Sequence, residues 1–398
     1  MAKICIRNIG PIKAGLETND GMMEISKVCI FIGDQGTGKS TIAKIISTCT
    51  WLEKAIVRGD FTASYLTKYN RFKNHLAYQG IEDYLTSDSV IHYIGDRVIF
   101  SYQGQSLQVL LVNDERDYKY PKVMYVPAER NFVTSVGKPE LVTRLPKPLI
   151  EFLNEYVNAL EDLKMEVQLP IGNTTIIQKG KQAVLMGEGY EINLLKASSG
   201  YQSLVPLFLV TKYLIDNVIG NQDRSKNLLS LVQSNKLRKE IAKIINKNNL
   251  NPEVARLALE ELSSKYSYNS LINIVEEPEQ NLYPTSQGKV LLELLKMNNT
   301  IQGSKLIVTT HSPYIINYMT LATKAHQVYQ TNSSINDLSV PKESSVDGEK
   351  VRVYQLQGGM ISLLQNYHGL PSDENLLNKS LEKFNIEFST MIEKQING

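Results

Sequence analysis

The stretch "KVCIFIGDQGTGKSTIAKII" (27–46) decides how the rest of the chain is read. A β-branched apolar run, Val28 to Ile32, ends in the pattern G-x-x-x-x-G-K-[ST], filled by Gly33, Gly38, Lys39 and Ser40. Apolar residues then recur at Ile42, Ile45, Ile46, Cys49 and Leu52, which is helical spacing. A glycine-rich turn between strand and helix lets successive backbone N–H groups point into one concavity, and the helix N-terminus adds its positive end. Gly33, Asp34, Gln35, Gly36, Thr37, Gly38, Lys39, Ser40 and Thr41 are therefore the candidate nucleotide-binding set. Lys39 would reach the β- and γ-phosphates, and the Ser40 hydroxyl would take Mg2+.

A phosphate loop gives work to a second stretch, "INIVEEPEQNLYP" (272–284). An apolar strand there runs straight into Glu276 and Glu277. A nucleotide site needs one carboxylate for the metal and a second to polarise the attacking water. Ligands of open α/β sheets bind at the C-terminal strand ends, so the pair is expected on a strand beside the phosphate-loop strand. Consecutive strand residues point to opposite sides, which assigns Glu276 to Mg2+ and Glu277 as general base. Standing alone, the two acids would read as a solvated strand end.

Two further pieces follow. "SSGYQS" (198–203) is a small-residue turn opening an apolar helix, an anion site without a lysine or else an ordinary N-cap. Ser199, Gly200 and Gln202 are its candidate ligands, across a head-to-tail dimer. "IVTTHSPYI" (307–315) sets His311 at another strand end, 34 residues after Glu277 with one helix between. That spacing places it on the strand neighbouring the carboxylates. A neutral imidazole there could donate to the γ-phosphate. Lys39, Glu277 and His311 form the candidate catalytic set.

The composition sets outer limits. The 398 residues are 42% hydrophobic, enough for one large core or two moderate ones. Forty-three basic against 41 acidic residues leave +2, too little to announce nucleic acid and too little to exclude it. Cys5, Cys29 and Cys49 read as buried free thiols in a reducing cytoplasm. The N-terminus lacks a signal-peptide core, and the apolar run 204–215 is short for a bilayer, so a cytoplasmic protein without membrane partners is expected.

Strands alternating with helices predict an α/β fold with a mixed sheet and an antiparallel β subdomain. Residues 59–80 and 148–164 read as helical, and 166–195 as a hairpin-rich run. The expected organisation is one domain over 1–398, with a helical and hairpin lobe at 138–266, a helical insertion at 218–266, and a C-terminal extension at 322–398.

Taken in order, G-D-Q-G-T-G-K-S, S-S-G-Y-Q, E-E-P-E-Q-N-L-Y-P and T-T-H-S-P resemble the ABC-type ATPase domains found outside transporters. These include SMC-like and RecF-type DNA-repair ATPases and, above all, the OLD-like ATPases of bacterial anti-phage defence. The resemblance spans 33–317 and implies an ABC-ATPase-like P-loop NTPase core, ATP and Mg2+ as cofactors, and a homodimer or higher homo-oligomer through the ATP sites. It makes Ser199 and Gly200 the start of the signature, Glu276 and Glu277 the Walker B pair, Asn281 to Pro284 the D-loop, and His311 the switch histidine. The chain departs from the pattern at Tyr201, at Glu276 in place of aspartate, and at Tyr283. "VPAERNF" (126–132) stands where the Q-loop belongs but holds no glutamine. Either Glu129 or Arg130 substitutes there, or they form a surface ion pair.

Residues 218–266 are too few for a long SMC coiled coil, and the tail offers no acid pattern of a TOPRIM nuclease. An ATP-gated switch controlling a separate effector, a nuclease or toxin in anti-phage defence, is the reading this favours. The alternative is a DNA-binding repair ATPase using Lys236, Arg238, Lys239, Lys243 and Lys247. A plain solvated helix face explains those cations better, given Glu240 among them and the near-neutral overall charge. A transporter's nucleotide-binding subunit fits less well.

Overall fold

The computed structural model describes residues 1–113, 117–135, 145–180, 182–222, 267–332, 334–335 and 337–397. Seven strands build its central sheet: β2 (Gly15–Leu16), β4 (Val28–Gly33), β8 (Pro121–Val126), β13 (Ser270–Glu276), β14 (Lys305–Thr310), β15 (Val351–Gln357) and β16 (Met360–Leu363). Their order is β2-β16-β15-β4-β14-β13-β8. The five strands from β15 to β8 run parallel, and β16 turns back antiparallel to β15. The sheet is mixed, as the sequence leads one to expect.

A second sheet is antiparallel and holds β1 (Lys3–Ile9), β3 (Met23–Glu24), β5 (Leu85–Ile94), β6 (Val98–Gln103) and β7 (Ser106–Leu111). A third comes from the hairpin run: β9 (Val167–Gln168), β10 (Thr175–Lys179), β11 (Gln182–Gly187) and β12 (Tyr190–Asn193). The helices are α1 (Lys39–Arg58), α2 (Ala63–Leu66), α3 (Arg71–Tyr78), α4 (Lys147–Glu161), α5 (Ser199–Gln222), α6 (Pro284–Thr300), α7 (Pro313–Thr331) and α8 (Leu376–Asn397).

Side-chain alternation along β4 divides the core. Val28, Ile30 and Ile32 join the apolar cluster of α4, α5, α6 and α7, while Cys29 and Phe31 join that of α1, α3 and the antiparallel sheet. The central sheet is thus covered on both faces, as a parallel sheet requires. The helix after the phosphate loop and the helix after 198 lie on opposite faces. All of β13 is buried. Burial of Ile272, Ile274 and Val275 contributes on the order of 2 kcal/mol each and fixes where Glu276 and Glu277 emerge.

Several expectations change. The carboxylate strand β13 does not lie beside the phosphate-loop strand β4, because β14 is inserted between them. The crossover through α6 delivers β14 to β13's side, and β14 then pairs with β4 from Leu306↔Val28 to Thr310↔Ile32. His311's strand therefore neighbours both. The 59–80 segment is two short helices, broken where Tyr69 and Asn70 take φ of 56° and 53°. The apolar run 204–215 belongs to a longer helix, α5, which has the length and composition to cross a membrane but is two-thirds buried within the protein. Residues 322–398 include β15, which pairs along β4 inside the central sheet. The insertion expected at 218–266 lies, from 223 on, outside the described residues, as do the cations at 236–247. Cys5, Cys29 and Cys49 are buried free thiols.

Candidate active site

Gly33 ends β4 with φ of 149°, and a Cβ there would run into the Leu356 carbonyl of β15. Only glycine lets the loop leave the sheet at that point. Lys39 opens α1 and is buried. Its ammonium donates to the Gly33 carbonyl at 2.8 Å and the Asp34 carbonyl at 2.7 Å, and lies 3.5 Å from His311 Nδ1. Burial pulls Lys39 down to about 8, against the upward pull of Glu277 and Asp34. Asp34, Gln35, Gly36 and Ser40 are exposed, whereas Thr41 is buried.

The two glutamates part company at the strand end, though not by strand alternation alone. Glu276 stays in the strand and is buried, with Oε2 accepting from the Ala128 N–H at 3.2 Å. Glu277 takes φ of 43°, a left-handed conformation that few side-chain-bearing residues adopt. That turn swings its carboxylate back to within 3.6 Å of His311 Nε2. Its N–H donates to the Thr309 carbonyl at 2.8 Å, so the turn is tied to β14.

Arg130 holds the other side of this turn. The guanidinium is 0% exposed, which excludes the surface ion pair as its role, while Glu129 is exposed. Arg130 Nη1 donates to the Glu276 carbonyl and Nη2 to the Glu277 carbonyl, both at 2.6 Å. Nε donates to the Ser203 carbonyl of α5 at 3.1 Å. One planar fork thus joins the segment after β8, the carboxylate turn and the helix that opens at the signature. Burial lowers Arg130 to about 10, so it stays charged at neutral pH, with Glu279 and Glu277 opposing the shift.

Glu279, noticed in the sequence only as a third acid, has a definite place. Its Oε1 accepts from Thr310 Oγ1 at 2.7 Å and from the His311 N–H at 2.8 Å. Burial raises its pKa, and the Thr310 hydrogen bond opposes that. Ser312 in turn caps α7 and donates to Gln287 Oε1 at 2.5 Å. His311 is thereby pinned through its backbone while its ring is free to sit between Lys39 and Glu277. Nδ1 lies beside the Lys39 ammonium and Nε2 faces Glu277. Burial and Lys39 lower its pKa below the ordinary histidine value, so the ring is neutral at pH 7.

The turn at 198–203 packs against the loop at 281–284 of its own chain. A Cβ on Gly200 would sit 2.9 Å from the Asn281 carbonyl, and Asn281 Nδ2 donates to Ser203 Oγ at 3.1 Å. Ser199 is exposed. The Gln202 amide turns backward, donating to the Leu195 carbonyl at 2.9 Å. Tyr201 accepts a hydrogen bond at its hydroxyl from Thr174 Oγ1 at 3.2 Å.

Among the described residues, no cluster of three or more His, Cys, Asp and Glu stands ready for a metal. Glu276 nevertheless suits one cation ligand. Its Oε1 is buried, and so is the Tyr125 hydroxyl, whose pKa is pushed well up by burial, by the Glu276 charge and by a hydrogen bond to Glu276. Cavities of about 710 and 530 Å³ lie elsewhere, one beside Glu24 and Arg352, one beside Lys27 and Ser304. The phosphate loop lines neither.

A family model described as an AAA ATPase domain matches residues 137–316. The matched span starts beyond the phosphate loop and takes in the signature, the glutamate pair and His311. A solved ATP-binding cassette, in a dimeric post-hydrolysis state bound to ADP and phosphate, is 11% identical, with 92% of this chain and 100% of that chain covered and a TM-score of 0.32. A nucleotide-free cassette from an ABC transporter is 9% identical, with 93% of each chain covered and a TM-score of 0.29. Likenesses so distant fix neither an activity nor a partner. No curated protein matches the sequence. The matched span, with the phosphate loop between β4 and α1 and the parallel strands around it, supports a P-loop ATPase.

Proposed function

We propose that this chain binds and hydrolyses ATP, closing as a homodimer when ATP is bound. The observation that carries the reading is the convergence of Lys39, His311 and Glu277 at the ends of three parallel segments, with contacts of 3.5 and 3.6 Å. Residues 33–41 cradle the phosphates, with Lys39 charged against the β- and γ-oxygens. Glu277 orients and deprotonates the attacking water. The His311 ring faces the same place and donates to the γ-phosphate. Ser40 and Glu276 hold Mg2+, which when bound neutralises charge on the phosphate oxygens. Ser199 and Gly200, across the sheet from α1, cap the γ-phosphate of a partner protomer.

Arg130 and Glu279 act as positioning residues in this scheme. The first holds the carboxylate turn, and the second holds the histidine. In the cytoplasm such a dimer would serve as a switch, with ATP state governing a separate effector, a nuclease or toxin of anti-phage defence. The order of motifs supports that role. Size-exclusion chromatography with light scattering on the Glu277→Gln protein tests the dimer. ATP and Mg2+ should double its mass, and a monomer under saturating ATP would sink the proposal.

A further inference from the structure

Between Asp60 and Glu82 the chain has no acidic residue, yet it carries Lys68, Arg71, Lys73 and His75. The same segment is rich in aromatics, and several are turned outward. Tyr69 is 82% exposed, Tyr65 43% and Trp51, from the neighbouring α1, 38%. The rings form one contiguous group. Trp51 lies 5.5 Å from His75 and 6.1 Å from Phe61, and Phe61 stacks on Tyr65 at 5.5 Å. The Arg71 guanidinium sits 3.6 Å over the Tyr65 ring and 5.3 Å from that of Tyr69. Arg71 Nη1 also donates to the Tyr65 carbonyl at 2.9 Å, so cation and ring are held together.

The turn between α2 and α3 is what throws Tyr69 out. Tyr69 and Asn70 both take the left-handed conformation, and a bulky aromatic residue there is uncommon. A fold that only needed a connector would place a small residue at that position. Among the described residues, no ion pair engages Lys68, Arg71 or Lys73. The patch is therefore cationic without internal compensation, in a chain whose net charge is only +2. It is also remote from the phosphate loop, since Trp51 lies about 18 Å along α1 from Lys39 at 1.5 Å per residue.

Rings with free faces beside uncompensated cations are what a single-stranded nucleic acid needs. Unpaired bases stack on aromatics whatever their sequence, and the backbone phosphates meet lysine and arginine. A duplex hides the faces of its bases, so it would use the cations alone. We propose that Trp51, Tyr69, Lys68 and Arg71 form a docking surface for single-stranded nucleic acid, with Tyr65 backing the Arg71 guanidinium. Bases stack on Tyr69 and Trp51, and phosphates lie along Lys68 and Arg71. The proposal is independent of ATP hydrolysis and does not involve residues 235–249.

Trp51 is the sole tryptophan, so the patch carries its own reporter. The full chain, without nucleotide, is titrated with a labelled 20-mer of oligo-dT, following anisotropy and Trp51 emission together. Saturable binding with quenching is expected. The slope of log K against log salt should be about −1.4, as two phosphate contacts on a single strand give. Tyr69→Asn keeps a residue tolerant of the left-handed turn and removes the ring. It should weaken binding by on the order of tenfold or more with the salt slope unchanged. Lys68→Gln should make the slope shallower by about 0.7. ATP hydrolysis of both variants should match that of the wild type.

The proposal is overturned if oligo-dT fails to bind at low salt. It is equally overturned if Tyr69→Asn and Lys68→Gln bind like wild type, or if duplex binds as tightly as single strand. Loss of self-association in Tyr69→Asn without any oligonucleotide binding would instead identify a protein interface, and would also overturn it.

Discussion

Arg130→Lys keeps a positive charge in the same pocket and removes the planar fork. Arg130 serves the carbonyls of Glu276 and Glu277 at 2.6 Å, Ser203 at 3.1 Å and Pro127 at 3.4 Å. A lysine presents one nitrogen, which cannot reach carbonyls spread over three segments. One or two of them would be left buried without a donor, at about 1–3 kcal/mol each. The expected loss of stability is therefore roughly 2–5 kcal/mol, read from urea denaturation.

The rate should suffer separately. Glu277 is held at φ of 43° by the Thr309 carbonyl on one side and Arg130 on the other. Such a conformation itself costs about 1–3 kcal/mol and persists only while its surroundings fix it. Released, the carboxylate moves away from His311, and a displacement near 1 Å costs on the order of 100-fold. Phosphate release at saturating ATP should fall by about 10- to 100-fold, while equilibrium ATP binding stays near wild type. A folded Arg130→Lys protein with wild-type kcat would refute the reasoning. So would one whose ATP affinity collapses in step with its rate.

Other consequences are checked as simply. Lys39 loses its proton near pH 8 in the free enzyme, and bound triphosphate favours the charged form, so kcat/KM for ATP should fall as pH rises through about 8 while kcat shows no matching decline; a flat kcat/KM from pH 7 to 9.5 would argue against it. Glu279→Ala strands the Thr310 hydroxyl and the His311 N–H, so it should cost roughly 2–4 kcal/mol and lower kcat, both measurable on one preparation. Gly200→Ala pushes a methyl against the Asn281 carbonyl, so ATP-driven dimerisation should weaken in light scattering with monomer ATP binding intact. Gly33→Ala meets the Leu356 carbonyl and a φ that alanine resists, so nucleotide binding by calorimetry should vanish.

What could be read from the sequence is what depends on neighbours in the chain. Strand, turn and helix at 27–46 are local, so the phosphate loop was legible from residue types and spacing. The same holds for β13 running into Glu276 and Glu277, and for His311 at the end of β14. The strand order was not, since inserting β14 between β4 and β13 depends on pairings across some 280 residues. Nor could strand alternation reveal that Glu277 reaches His311 through a left-handed turn. Arg130 shows the same limit most clearly. Its charge suggested either a site residue or a surface ion pair, and only carbonyls 73 to 147 residues away decide that it is buried. Glu279 was visible as an acid, but its partners lie 31 and 32 residues on, in another strand and its loop. The break in the 59–80 segment turns on the left-handed conformation of Tyr69 and Asn70, which residue types alone do not reveal.

The most direct test is single-turnover hydrolysis of ATP by the wild type and by Glu277→Gln, with ATP binding measured on the same samples. The glutamine keeps the shape of the side chain and cannot take a proton. Wild type should release phosphate, and Glu277→Gln should bind ATP as tightly yet release it at least 100-fold more slowly, on the scale expected for a general base. Equal rates in the two proteins would show that Glu277 does not activate the water, and would remove the centre on which Arg130, Glu279 and His311 have been placed.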